Sequence, residues 1–278
     1  MRAALLKPSP LPGFAPALGA ALLWLGVLVL VPLAALVWRA SGLGLSGILS
    51  IAAQPRVAAA LKLSFGLSLL AAALNVVLGG MVAWVLTRYE FPGRRLLDAA
   101  VDLPFALPTA VAGIALTAVY APNGWIGAPL GALGVKVAFT PLGIFVALVF
   151  IGLPFMVRSV EPVLSEVDPE IEEASATLGA SRLRTIFQVV LPPLVPAFLT
   201  GFALALARAV GEYGSVVFIS GNIPFVSEIA PLLIVVRLEE FEAAGATAVA
   251  TIMLALSFVI LLTINLVQAY VRRSTGHG

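Results

Sequence analysis

Apolar residues in this chain come in long unbroken blocks, and polar residues are confined to the stretches between them. A helix needs about 20 mostly apolar residues to cross about 30 Å of hydrocarbon. Six blocks approach or exceed that length, at 18–37, 63–86, 103–120, 140–157, 194–217 and 249–270. A β-barrel would show alternating polarity in segments of about ten residues, and that pattern is absent. We therefore predict an all-α membrane protein with six transmembrane helices.

The composition agrees with a membrane protein, because 61% of the residues are hydrophobic and only 11% are charged. A soluble domain carries about 25% charged residues. The net charge of +2 is spread over the loops, which argues against a basic patch for nucleic acid. The chain has no cysteine and a single histidine, His277, so it offers no disulfide, thiolate or histidine-based metal site. We predict one transmembrane domain over residues 1–278.

The distribution of basic residues predicts the orientation, since cytoplasmic loops carry an excess of Lys and Arg. With the N-terminus inside, ten basic residues fall on the inner side and five on the outer side. The inner set is Arg2, Lys7, Arg88, Arg94, Arg95, Arg158, Arg182, Arg184, Arg272 and Arg273. The outer set is Arg39, Arg56, Lys62, Lys136 and Arg237. We therefore predict that both termini are cytoplasmic.

A charged island lies between the fourth and fifth blocks, and its residues mark helix ends. Asp168 and Pro169 suit the N-cap and first position of a helix, and three of the next four residues are glutamates, which the helix dipole favours there. Gly179 stands where a left-handed residue ends a helix, and Ser181 suits the cap of the next one. The island is predicted to be two short helices joined at a glycine.

The second of these helices has an apolar stripe and is predicted to end at Leu191 and Pro192. The stripe positions, at i, i+3, i+4 and i+7, are Leu183, Ile186, Phe187 and Val190. On physical grounds alone two interpretations stay open. The island is either a surface that a water-soluble partner binds or an amphipathic loop resting on the bilayer.

The island resembles the EAA loop of ABC importer permeases. The matching residues are Glu173-Ala174-Ser175, then Gly179 after three residues, and Val189-Val190-Leu191-Pro192 after nine more. Ser175 replaces the second alanine of that pattern, and Val189 replaces the usual isoleucine. Segments 103–113 and 208–214 resemble the oxyanion branch of these permeases, which handles sulfate, thiosulfate, molybdate and tungstate. Segments 218–224 and 236–241 look most like the first of the two sulfate/thiosulfate permease subunits.

The resemblance implies the type I ABC importer permease fold and a multi-pass protein of the bacterial inner membrane. In that family two related permease subunits form the anion path, two cytoplasmic ATPase subunits supply energy, and a periplasmic or tethered sulfate/thiosulfate-binding protein delivers the anion. The loop 159–192 would couple this chain to its ATPase. The coupling residues implied are Glu172, Glu173, Ala174, Ser175, Leu178, Gly179 and Ser181.

The chain has no Gly-x-x-x-x-Gly-Lys-Ser/Thr loop, so it has no recognisable ATP site. We therefore expect a transport subunit rather than an enzyme. No cofactor or metal is expected on this chain, and ATP and Mg²⁺ are expected on the partner ATPase.

The candidate anion path comprises the start of the third block and the end of the fifth. Its residues are Pro104, Pro108, Thr109, Arg208, Glu212, Tyr213, Ser220 and Asn222. Arg208 lies about 25 Å along the helix from Leu191, where ionisable residues are costly and mark functional sites. Two interpretations stay open for Arg208 and Glu212, which are spaced i, i+4. The arginine supplies positive potential to a passing dianion, or the pair neutralises itself and holds a bend.

Other functions fit the sequence less well. A molybdate/tungstate permease, which pairs with a copy of itself, is the main alternative because its substrates are also tetrahedral dianions. A secondary transporter would need ionisable relay residues at mid-membrane, and apart from Arg208 and Glu212 the blocks are almost free of them. A membrane-embedded enzyme would need a cluster of His, Asp or Cys, and the chain has none that includes histidine or cysteine.

Overall fold

The computed structural model describes residues 14–274 and the side chains of residues 14–271, and every regular element in that range is a helix. The first eight α-helices in chain order are α1 (Phe14–Leu25), α2 (Val31–Ser41), α3 (Gly44–Ala52), α4 (Pro55–Arg88), α5 (Arg94–Val101), α6 (Leu103–Ala106), α7 (Thr109–Tyr120) and α8 (Gly127–Ala132). They are followed by α9 (Pro141–Glu166), α10 (Pro169–Thr177), α11 (Arg182–Thr185), α12 (Leu191–Val210), α13 (Val216–Ile219), α14 (Ala230–Glu239) and α15 (Ala243–Ser274). Arg2, Lys7 and His277, and the side chains of Arg272 and Arg273, lie outside this description.

Within residues 14–274, five helical stretches are long and apolar enough to cross a membrane. They are Phe14–Ser41, Pro55–Arg88, Pro141–Glu166, Arg182–Val210 and Ala243–Val271. Four of them cover the predicted first, second, fourth and sixth blocks. The all-helical membrane class is therefore confirmed, whereas the count of six spans and the cytoplasmic termini stay predictions.

The third block was predicted to be one membrane-spanning helix, but in the structure it is not continuous. It is divided into the single turn α6 and the 12-residue helix α7, with Leu107 and Pro108 extended between them. Pro108 has no backbone N–H and its ring disfavours helical geometry at Leu107, so the helix stops and restarts. The block therefore contributes only a short apolar helix, Thr109–Tyr120.

The fifth block also differs from its prediction at both ends. The helix after Gly179 does not end at Leu191 and Pro192, because α11 continues through a π-helical turn, Ile186–Val190, directly into α12. The wider turn accommodates prolines 192 and 193, which cannot donate the usual backbone hydrogen bonds. At its other end α12 stops at Val210, so residues 211–217 lie outside the helix.

The centre of the molecule is a bundle of the three long helices α4, α9 and α12. Met156 of α9 is completely buried in the cluster that joins all three. The amide of Asn75 in α4 donates to the Val149 carbonyl of α9 (3.1 Å), which satisfies one polar group inside the bundle. Helices α13, α14 and α15 pack against this bundle, so the segments beyond α12 have fixed positions.

Candidate coupling surface and anion path

The helix α10 has the ends that the sequence predicted. The Asp168 side chain accepts a hydrogen bond from the Glu170 N–H (2.9 Å), and Pro169 opens the helix. At the other end Gly179 has φ +83°, and the N–H groups of Gly179 and Ala180 donate to the carbonyls of Ala176 and Ser175. These two bonds form a Schellman motif, which requires a left-handed residue at Gly179. Both end signals are confirmed.

One face of α10 is fastened to the transmembrane bundle through Glu172. Its carboxylate pairs with Arg88 at the end of α4 (Nη2–Oε1 2.7 Å). The same guanidinium donates to the Val167 carbonyl (2.9 Å) and lies 5.9 Å from the centre of the Trp84 ring. Because Arg88 holds both α10 and Val167 in the two-residue link before it, α10 is fastened to α4.

Ser175 lies on the same fastened face and has a partner across the glycine turn. Its hydroxyl is 2.9 Å from the Thr185 hydroxyl of α11. An alanine at this position has no hydrogen-bonding side chain, so the departure from the EAA pattern adds a link between the two helices. Ser181 begins α11 by accepting from the Arg184 N–H at 3.4 Å. The hairpin of α10 and α11 is therefore tied at its base.

The opposite face of α10 is exposed and apolar. Ile171, Ala174 and Leu178 lie at i, i+3 and i+7 on this face, and Leu178 is 88% exposed. Glu173 is also exposed. We call Ile171, Ala174 and Leu178 the coupling stripe. Such an uncovered stripe on a helix outside the spans suits a groove on another protein.

The candidate anion path is built where α7 begins. Pro108 is the N-cap of α7. The first backbone N–H groups of a helix have no intrahelical acceptor, and here no side chain caps them. Thr109 is the first helical residue and its side chain lies against Gly214. One turn further, Gly113 packs so closely on the turn after α12 that a Cβ there would lie 2.7 Å from the Ser215 Cα. Two distant predicted segments thus meet.

The pair Arg208 and Glu212 stands at this junction. The Arg208 Nη1 lies 2.6 Å from the Glu212 Oε2, and Glu212 also accepts from the N–H (2.9 Å) and hydroxyl (3.0 Å) of Ser215. Glu212 is 1% exposed, whereas the Arg208 side chain is 35% exposed. Since Glu212 lies beyond the last residue of α12, its carboxylate organises the turn that follows the helix.

The remaining predicted path residues are more scattered. Tyr213 is partly exposed in the same turn, while Ser220 and Asn222 lie beyond α13, where the Asn222 N–H donates to the Ser220 hydroxyl (3.2 Å). Pro104 belongs to α6, on the other side of the Pro108 break. The structure therefore brings Pro108, Thr109, Arg208 and Glu212 into one region and leaves the other four around it.

Sequence reasoning missed an ionic cluster on Arg158 of α9. The guanidinium binds both carboxylate oxygens of Asp102 (2.9 and 2.7 Å) and lies 2.7 Å from Asp98 and 2.6 Å from Glu161. This cluster fastens α5 and α6 to α9. From the sequence, Arg158 served only to predict the orientation in the membrane, because Asp98 and Asp102 are about 60 residues away in the chain.

A large cavity is a separate feature and does not suit an anion. It is an apolar groove of about 1000 Å³ between α4 and α12, lined by residues such as Trp84, Phe187 and Phe198. A mostly apolar lining has too few donors to replace the water around a dianion. The candidate path therefore lies at the start of α7 rather than in this groove.

Comparison with known proteins identifies the kind of molecule that this resembles. The family model described as "Binding-protein-dependent transport system inner membrane component" matches residues 75–276. A sulfate transport system permease protein of Synechococcus elongatus is 51% identical over 253 residues, which are 91% of this chain and 91% of the relative. A sulfate transport system permease protein of Salmonella typhimurium is 47% identical over 268 residues, covering 96% and 97%.

A solved structure shares the fold. The bacterial alginate ABC transporter, in complex with an alginate pentasaccharide-bound periplasmic protein, contains a chain that aligns with a TM-score of 0.73. The alignment covers 94% of each chain at 17% sequence identity, so the likeness concerns the fold alone.

Proposed function

Because the chain belongs to the family of binding-protein-dependent transport system inner membrane components, we propose that it is the permease subunit of an ATP-driven sulfate importer. The observation that carries the proposal is the match to sulfate permeases over more than 90% of the chain at about half identity. Thiosulfate, another tetrahedral dianion, is the second expected substrate. The relatives are named as permeases and not as enzymes, in agreement with a transport subunit.

The coupling stripe is the proposed contact with a cytoplasmic ATPase. Its three apolar side chains are exposed on a helix that Arg88 and Thr185 hold against the bundle. A helix fastened on one side and uncovered on the other transmits force from a partner to the spans. We propose two such ATPase subunits, which would bind ATP and Mg²⁺, and a second related permease that completes the anion path.

The anion path is proposed to pass the start of α7. The uncapped N–H groups there, with the Thr109 hydroxyl, provide donors of the kind that bind sulfate and phosphate at helix N-termini. We propose that Arg208 and Glu212 border this path and chiefly hold the turn against which α7 packs. Donors with little net charge release a dianion more readily than an unpaired arginine would.

Reconstitution tests the proposal. The chain would be placed in liposomes with the second permease and ATPase of its importer, with ATP inside and the sulfate-loaded binding protein outside. The inside of the liposome then corresponds to the cytoplasm, and its outside to the outer face of the bacterial inner membrane. We expect labelled sulfate uptake that requires ATP and the binding protein and is competed by thiosulfate. Uptake of molybdate by a complex containing two copies of this chain would instead establish the alternative function.

A further inference from the structure

Asp102 binds Arg158 of α9 instead of capping its own helix. It is the N-cap of α6, a position where an aspartate side chain usually accepts hydrogen bonds from the first N–H groups of the helix. Its side chain makes no such bond here. Both of its oxygens accept from Arg158, at 2.9 and 2.7 Å. A contact with a distant helix therefore takes the place of the local cap.

The contact has a fixed geometry, because all three nitrogens of the Arg158 guanidinium are engaged. Nε and Nη2 donate to the two oxygens of Asp102, and Nη2 also donates to the Asp98 carbonyl (3.1 Å). Nη1 donates to Glu161 on its own helix (2.6 Å). A bidentate pair of guanidinium and carboxylate fixes the relative orientation of its two groups as well as their distance. The pair therefore fixes the start of α6 relative to α9.

Apolar contacts already attach α5 and α6 to α9. Val101, the last residue of α5, is buried in one cluster with Met156 of α9. One turn along α6, the Phe105 ring meets the Phe155 ring edge-on, with 4.9 Å between their centroids. Buried side chains and aromatic pairs of this kind stabilise the packing of the helices. The ionic cluster is thus not needed merely to hold these elements together.

The charges of the cluster also argue against a role in stability alone. The carboxylates of Asp98, Asp102 and Glu161 surround a single guanidinium, so their mutual repulsion is only partly compensated. The side chains of Asp98 and Asp102 are 46% and 50% exposed. Ion pairs that reach solvent to this extent stabilise a fold little. What the cluster does supply is the directed, bidentate contact with Asp102.

A short ordered segment leads from Asp102 to the start of α7. It consists of the single turn α6 and the extended residues Leu107 and Pro108. The proline ring fixes its own φ and restricts Leu107, so this link has little freedom. Thr109 and the uncapped N–H groups follow directly. The orientation of Asp102 is therefore passed on to those N–H groups.

We propose that Arg158 is a positioning residue for transport, which acts through Asp102 to hold the donors at the start of α7 in place. This inference rests on the proposed function, in which the anion passes those donors. A change that keeps the charge of Arg158 but loses the bidentate geometry should alter transport more than stability.

The test uses Arg158→Lys in the reconstituted complex. Lysine keeps the positive charge among the carboxylates but cannot hold Asp102 in one orientation. Sulfate uptake and ATP hydrolysis are measured on the same liposomes. We expect uptake per ATP hydrolysed to fall at least about tenfold, because the effect of a positioned group declines steeply when it is displaced. The amount of assembled complex and its thermal unfolding midpoint should change little, since half-exposed ion pairs contribute little to stability.

Amide hydrogen exchange gives a second measurement, which does not depend on transport. It reports local opening of the backbone. In the Arg158→Lys complex we expect faster exchange than in the wild type over residues 103–112, which include α6 and the first turn of α7. Exchange over α14, which is not part of the cluster, should stay unchanged.

Arg95→Lys is the matched control. Arg95 belongs to α5, one of the helices that Arg158 fastens, and its side chain is exposed. Among the side chains of residues 14–271 it forms no ion pair. The same substitution at Arg95 should leave uptake per ATP and the exchange over residues 103–112 as they are in the wild type.

Four results would overturn the inference. They are an unchanged uptake per ATP in Arg158→Lys, an equal loss in Arg95→Lys, a loss of uptake that only matches a loss of assembled complex, and unchanged exchange over residues 103–112. All four leave the proposed function standing. A wild-type complex that takes up no sulfate would instead refute the proposed function, and the exchange over residues 103–112 would then decide by itself whether Arg158 positions the start of α7.

Discussion

The pair Arg208 and Glu212 allows a test of whether a fixed positive charge acts on the transported anion. Glu212 has three donors, one from Arg208 and two from Ser215. Replacing Glu212 by an apolar residue would leave the buried Ser215 N–H without an acceptor. The informative change is therefore Arg208→Gln combined with Glu212→Gln. It removes both charges and keeps an amide oxygen for Ser215.

The expected energies follow from burial and from the remaining donors. Breaking a fully buried ion pair costs about 3–5 kcal/mol. Arg208 is 35% exposed, and Ser215 still donates twice to the carboxylate, so we expect Arg208→Gln alone to cost about 2–3 kcal/mol. Glu212→Gln alone keeps the Ser215 bonds and should cost about 1 kcal/mol. The double variant contains no unpaired charge, so its cost should be below the sum by about 1–2 kcal/mol.

The assay is labelled sulfate uptake by matched amounts of assembled complex, with thermal unfolding in detergent for stability. We expect the double variant to assemble and to transport within about twofold of the wild type. Arg208→Gln alone should give less assembled complex. A double variant that assembles fully yet transports tenfold slower would refute this reasoning. That rate corresponds to about 1.4 kcal/mol of lost barrier stabilisation, which would then belong to the Arg208 charge.

Three further substitutions test the coupling surface and the junction. Gly179→Val should leave the chain inserted in the membrane but uncouple transport from ATP hydrolysis, because a β-branched residue disfavours φ +83°. Gly179→Asn is the control and should retain most of the coupling. Normal transport by the valine variant would contradict this role of Gly179. Ala174→Arg should abolish co-purification of the ATPase without destabilising the chain, since Ala174 is exposed. Co-purification of the usual amount of ATPase would mean that the coupling stripe lies on lipid. Gly113→Ala should lower the stability by about 1–3 kcal/mol and reduce sulfate uptake, because the added Cβ would meet the Ser215 backbone. Gly66→Ala is the control and should do neither, since the space around Gly66 is open. Equal uptake by the two variants would contradict the close packing at the junction.

Local signals predicted the coupling hairpin well. The caps at Asp168 and Ser181 and the left-handed Gly179 depend on residues within a few positions of each other, so the sequence contains the whole cause. The alternation of faces on α10 was not predicted. Glu172 and Ser175 turn inward because Arg88 and Thr185 stand there, and those partners belong to other helices.

The prolines predicted helix ends less reliably than these caps did. Pro108 interrupts its block as a proline should, whereas Pro192 was taken as a helix end and in fact lies inside a continuous stretch. The difference comes from the π-helical turn before Pro192, which accommodates the prolines, and Val190 and Leu194 on either side of Pro192 are buried in one cluster. Likewise the pair Arg56 and Glu228 joins residues 172 positions apart, and no local pattern indicates it.

A continuous set of contacts joins α10, where we propose that an ATPase binds, to the start of α7. Only two residues separate α10 from α9, so we expect α9 to follow a displacement of α10. Arg158 near the same end of α9 binds Asp102, the residue immediately before α6. From there the extended residues 107–108 lead to Thr109, which packs against the turn organised by Glu212. Each link is an ion pair, a close contact or a short extended segment, so we expect that a displacement of α10 by the proposed ATPase would reach the donors at the start of α7.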